Sequence, residues 1–112
     1  MTLFEKIVAR EIPATIVYED DDVIAFKDID PKAPTHIVIA TKRPIETLND
    51  LGDTDAELMG KMILAAKKIA AFEKIDERGY RIVFNCNKDG GQSVYHIHCH
   101  LLGGRKMNWP PG

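Results

Sequence analysis

The chain has 112 residues, a formal net charge of −2 and two cysteines. That length supports one domain with a small core, and the weakly negative balance offers no general attraction to a polyanion, which argues against a nucleic-acid binder. Cys86 and Cys99 are too few for a disulfide framework and lack zinc-pair spacing.

The N-terminal run Met-Thr-Leu-Phe-Glu-Lys has no long apolar stretch, so neither a signal peptide nor a membrane span is expected, and a cytoplasmic protein without a membrane partner is. Thr2 followed by Glu5 reads as a capping box, opening a helix with Leu3, Phe4, Ile7 and Val8 on its apolar face. Pro13 sets its limit, because the residue before a proline disfavours helix. Thr15–Tyr18 and Val23–Phe26 are β-rich runs flanking Glu19-Asp20-Asp21-Asp22, which predicts a hairpin with an acidic, solvated turn. Asp28 to Pro34 is a loop, and His36 to Ala40 a third strand. Thr54 with Glu57 reads as a second capping box. It opens a helix whose buried face carries Leu58, Met62, Ala65, Ile69 and Phe72, ending near Ile75. Arg81 to Asn85 is a fourth strand, Asn87 to Val94 a loop, and a last strand follows. The order of elements predicts one α+β domain, residues 1–112, with an antiparallel sheet of about five strands and two helices.

That last strand, Tyr-His-Ile-His-Cys-His-Leu-Leu, holds three of the four histidines at alternate positions, His96, His98 and His100. Alternation along a strand points all three imidazoles one way, with Ile97, Cys99 and Leu101 facing the core. Histidines on one strand face bury little area, so chemistry accounts for them better than structure does. Alternate strand residues lie roughly 6.6 Å apart, so two rings can converge on one ion but three are not expected to. A zinc site would need His36 or a carboxylate as well; no cofactor is expected. A neutral imidazole can instead attack phosphorus and later leave, provided its second nitrogen is held and the phosphoryl charge meets donors. Gly90 and Gly91 free the preceding loop to bring amides and the Ser93 hydroxyl near an anion.

His96-Ile-His-Cys-His-Leu-Leu102 resembles the His-φ-His-φ-His-φ-φ signature of the histidine-triad superfamily, φ being apolar. Phe26 to Ile39, the loop Asp89 to Tyr95, Leu-Leu-Gly-Gly-Arg105 and the ending Trp-Pro-Pro-Gly resemble its Hint branch, the histidine triad nucleotide-binding proteins. Other branches commonly run on from the triad to glutamine, where this chain has Leu101-Leu102. The resemblance implies a homodimer whose sheets join across the interface. It also implies hydrolysis of P–N bonds in purine nucleoside 5′-phosphoramidates, including lysyl-type adenylates, to AMP and amine.

By the same resemblance His98 is the nucleophile, His96 helps hold it, His100 contacts the phosphate and His36 supports the cluster. Asn85, Gln92 and Ser93 match phosphate contacts and Asp28 a ribose carboxylate. Phe4, Ile7, Phe26, Ile29 and Val38 match the apolar slot for the base, and Trp109 a tail residue reaching the partner's site. Read alone, Asp28 is equally a turn former, and Phe4, Ile7 and Phe26 are better read as core. Cys99 is a core residue, not a nucleophile. The competing readings are a nucleotide-responsive interaction protein with incidental hydrolysis, a dinucleoside polyphosphate hydrolase, and a zinc protein built on His36.

Overall fold

The computed structural model describes all 112 residues. Helix α1, Leu3–Val8, begins as its sequence dictates: the Thr2 hydroxyl accepts the Glu5 N–H while the Glu5 carboxylate accepts the Thr2 N–H. The acidic hairpin joins β1, Ile16–Glu19, to β2, Val23–Lys27. Asp20 closes its turn by accepting the N–H groups of Asp22 and Val23. Strand β3 is Thr35–Thr41, β4 is Tyr80–Phe84 and β5 is His98–Gly103. All five strands lie antiparallel in the order β1-β2-β3-β5-β4, so β3 and β5 are central.

Helix α2, Ala56–Phe72, covers one face of this sheet. Its Met62, Ala65, Ala66, Ile69 and Ala70 meet Val23, Ala25, Ile37, Ile39, Cys99 and Leu101. On the opposite face Phe4 and Ile7 of α1 pack on Ile24, Phe26, Val38 and Ala40. No helix is long and apolar enough to cross a membrane.

Four expectations need correction. The Thr54–Glu57 box does not form. Asp55 stands at the N-cap position but makes no side-chain hydrogen bond into α2; its carboxylate instead closes the preceding 3-10 turn, Asp53–Asp55, by accepting the Gly52 N–H, and pairs with Arg43. Phe72, the last residue of α2, is 77% exposed, and the buried stripe ends at Ala70. Helix α2 stops at Phe72 in a Schellman arrangement: Lys74 takes a left-handed φ of 60° and the N–H groups of Lys74 and Ile75 reach the carbonyls of Ala71 and Ala70. This turns Ile75 inward against Gly103, where a Cβ would stand 2.6 Å from Ile75 Cδ1. The helices number three rather than two, since Asn87–Gly90 forms one turn, α3, within the expected loop.

Candidate active site

Register decides which side chains meet. Val38 pairs with His100 and Ala40 with His98, so the outer face of β5 lies above the apolar patch under α1. His36, two residues before Val38 on β3, reaches diagonally to His100.

All three triad rings lie on the α1 side of the sheet: Phe4 meets both His96 and His98 edge-on, His100 stands beside His98, and the Thr2 hydroxyl reaches His96. The regular strand begins at His98, and the backbone before it turns, with the Ile97 N–H bound to the Ile45 carbonyl. His96 thus precedes the regular ladder yet still faces α1. Its ring is wholly buried, with Nε2 2.6 Å from the Thr41 carbonyl and Nδ1 3.1 Å from the Thr2 hydroxyl. Thr2 is read from sequence only as a helix cap; nothing in local spacing shows a partner 94 residues away.

The hydrogen bonds assign the remaining protons. His98 Nδ1 lies 2.6 Å from the His96 carbonyl, which only accepts, so Nδ1 carries hydrogen and Nε2 keeps its lone pair. His36 Nδ1 accepts the Lys32 N–H at 3.0 Å, so its Nε2–H donates to His100 Nδ1 at 2.8 Å. His100 Nε2 therefore carries a proton. The His98 and His100 rings sit 5.1 Å apart, one offering a lone pair and the other an N–H. Phe4 meets His98 edge-on at 4.7 Å, closing one side of that ring.

Burial keeps these rings neutral. It is the main cause lowering His36 and His98 below the ordinary histidine value. His100 is pushed down to about 4, by burial first and then by the His98 and His36 rings. Unfolded histidine takes its proton near pH 6.5, so between there and about 4 the unfolded chain binds more protons at these positions. Stability should fall as pH drops through this window, with nothing further lost from His100 below it. Urea midpoints at pH 7 and pH 5 measure this, and a midpoint as high at pH 5 counts against the burial described. The Cys99 thiol, turned to the core, is pushed by burial to about 12 and is inert.

Other expected contacts divide. Asp28 is half-buried, with Oδ2 3.4 Å from His36 Nε2 and Oδ1 accepting the Asp30 N–H. Asn85 is half-buried and Ser93 exposed, standing either side of α3. Gln92 is not free to bind phosphate: its amide donates to the carbonyls of Glu46 and Val94, and its oxygen accepts the Asn87 N–H. It clasps the loop, whose reversal requires the left-handed φ of 83° at Gly91. Phe4, Ile7, Phe26 and Val38 form one packed cluster, but Ile29 is fully exposed and outside it. It sits in an Asp28–Asp30 turn closed by the Asp28 carboxylate, which points the side chain to solvent. Trp109 is 82% exposed, its ring 6.0 Å from the Arg81 guanidinium at the edge strand β4. A cavity of about 440 Å³ beside Tyr80, rich in Lys and Arg, includes no histidine.

These features match a known family along most of their length. The family model described as HIT domain matches residues 9–107. The chain belongs to the HIT domain family. It is 55% identical over 106 residues to a purine nucleoside phosphoramidase of Escherichia coli K12, covering 95% of this chain and 89% of that one. It is 50% identical to a 14 kDa zinc-binding protein of Zea mays, covering 99% of this chain and 88% of the other. A HIT family hydrolase from Legionella pneumophila Philadelphia 1 superposes with a TM-score of 0.98 at 56% identity, each chain covered in full.

The maize protein's name prompts a test of the HIT residues that could hold zinc. Asp28, His36 and His100 bring their ligand atoms within 4.8 Å of one another. As arranged they do not fit an ion. His36 Nε2 and His100 Nδ1 face each other across a hydrogen bond, and His36 Nδ1 is taken by a backbone amide. Seating a metal would break the bond that fixes the proton on His100.

Proposed function

We propose that this chain is a purine nucleoside phosphoramidase, hydrolysing the P–N bond of adenosine 5′-phosphoramidates, lysyl-type adenylates included, to AMP and amine. The observation carrying the reading is the paired proton assignment: a lone pair on His98 Nε2 beside an N–H on His100 Nε2. The 55% identity to a protein of that activity supports the substrate class.

In this reading the His98 lone pair attacks phosphorus, forming an N–P bond as the bond to the amine breaks, and the amine leaves with a proton. His100 donates to a phosphoryl oxygen, where charge persists throughout. Water then attacks the nucleotidyl-histidine, releasing AMP and restoring the ring. His96 holds His98 through its carbonyl, and His36 holds the proton on the outer nitrogen of His100. Asn85 and Ser93, whose side chains have no hydrogen bond within the chain, meet the phosphate. The Asp28 carboxylate accepts ribose hydroxyls. The base lies along the rim of the Phe4, Ile7, Phe26 and Val38 cluster, with exposed Ile29 folding over it.

The same reading includes a homodimer joined at β4. This edge is regular and half-buried along all five residues, whereas the other edge, β1, is interrupted by a register shift and ends at Glu19. Joining there gives the exposed Trp109, held beside β4 by Arg81, a route to the partner's site.

One preparation measured two ways tests this. Amine-linked adenylates should turn over and phosphate-linked ones should not, and the sedimenting mass should be twice 12.6 kDa. Cleavage confined to dinucleoside polyphosphates overturns the substrate assignment; a mass of 12.6 kDa overturns the dimer.

A further inference from the structure

We propose that Thr2 is a positioning residue for His98, acting through His96, as well as the cap of α1. Its kinetic consequence rests on the phosphoramidase reading; its structural consequence rests on geometry alone.

The Thr2 hydroxyl has two partners. It accepts the Glu5 N–H at 3.1 Å and lies 3.1 Å from His96 Nδ1. The Thr41 carbonyl only accepts, so His96 Nε2 carries the hydrogen given to it, and in that tautomer Nδ1 accepts. Thr2 therefore spends its one hydroxyl hydrogen on His96. That ring is wholly buried and has no other donor at Nδ1.

The effect reaches the reacting atom in one further step. The carbonyl that binds His98 Nδ1–H belongs to His96 itself. The residue orienting the nucleophile is thus pinned on both sides, by β3 through Thr41 and by α1 through Thr2. With one pin removed, His96 can rotate about the other and carry its carbonyl with it. Phe4, two residues after Thr2, touches both His96 and His98 edge-on, at 5.7 and 4.7 Å. Helix α1 therefore registers the histidine strand from one side. Misplacing a nucleophile costs rate more than affinity.

Three variants separate positioning from capping. Thr2→Val keeps the shape and loses the hydroxyl. Thr2→Ser restores the hydroxyl. Glu5→Ala breaks the capping box but leaves the Thr2–His96 bond. Kinetics on an adenosine phosphoramidate, with imidazole 15N spectra of the whole protein, give the readouts. Thr2→Val should lower kcat on the order of tenfold with KM within about twofold. Thr2→Ser and Glu5→Ala should stay within about threefold of wild type. In the wild-type spectrum His96 Nδ1 should resonate as an accepting nitrogen and Nε2 as the protonated one, and Thr2→Val should shift Nδ1. Equal loss of kcat in Thr2→Val and Glu5→Ala, or a Nδ1 signal indifferent to the substitution, overturns the proposal. If Thr2→Val does not fold, the wild-type spectrum decides: a protonated Nδ1 overturns it. If wild type itself ignores phosphoramidates, the functional reading falls while the spectra still judge the Thr2–His96 bond.

Discussion

His98→Asn is expected to lower phosphoramidate turnover at least about a thousandfold while leaving AMP binding within a few-fold of wild type. An asparagine amide can still donate to the His96 carbonyl, so the local backbone keeps its partner and the site its shape. It has no lone pair able to attack phosphorus and leave again. The neighbours proposed to meet the phosphate, His100, Asn85 and Ser93, are untouched, which is why binding should persist when chemistry stops. Both quantities matter. A variant retaining more than a tenth of wild-type turnover would mean that His98 is not the nucleophile. Loss of AMP affinity together with turnover would mean that its ring is chiefly a binding contact.

Leu101→Ala should cost about 2–5 kcal/mol of folding stability. Leu101 is fully buried on the α2 face of β5, paired with Ile37 on one side and Ile82 on the other. Truncation there opens a cavity at the centre of the sheet, where neither strand can collapse without breaking its ladder. For a chain of this size the loss lowers Tm by roughly 10–20 °C, measured at one fixed protein concentration because the proposed dimer makes Tm concentration-dependent. His98 and His100 stand on the opposite face of the same strand, so kcat of the remaining folded protein should change little. A destabilisation below about 1 kcal/mol would show that Leu101 is not part of a close-packed core between the sheet and α2.

These two outcomes separate the faces of β5, and the same division marks what was legible in the sequence. The alternation in His98-Cys-His-Leu101 told core from site correctly, because side chains of a regular strand change face at every residue. It also placed His96 on the α1 side, but it did not show that this ring precedes the ladder and is wholly buried there. Both helices were legible from apolar period, and the α1 cap from Thr2 and Glu5. The start of α2 was not, since Thr54 and Glu57 read locally as a cap while the fold puts Asp55 at that position, its carboxylate tied to Gly52 and Arg43 instead. Gln92 shows the same limit. Its place in a glycine-rich loop fits a ligand contact, yet its amide closes that loop by reaching the Glu46 carbonyl.

By itself the sequence determined the five strands and two of the three helices, the side of β5 that faces the core, and a cluster of histidines beside a glycine-rich loop. Each of these follows from periodicity or from residues adjacent in the chain. Tertiary structure alone decided the protons. His98 is left with a free lone pair and His100 with an outer N–H because Thr2, Lys32, His36 and Thr41 arrive from three other elements and loops to occupy the remaining ring nitrogens or fix the carbonyl they need. A hydrogen bond between distant residues carries no period and leaves no local mark, so only folding brings the donor and acceptor that set the reactivity of each ring.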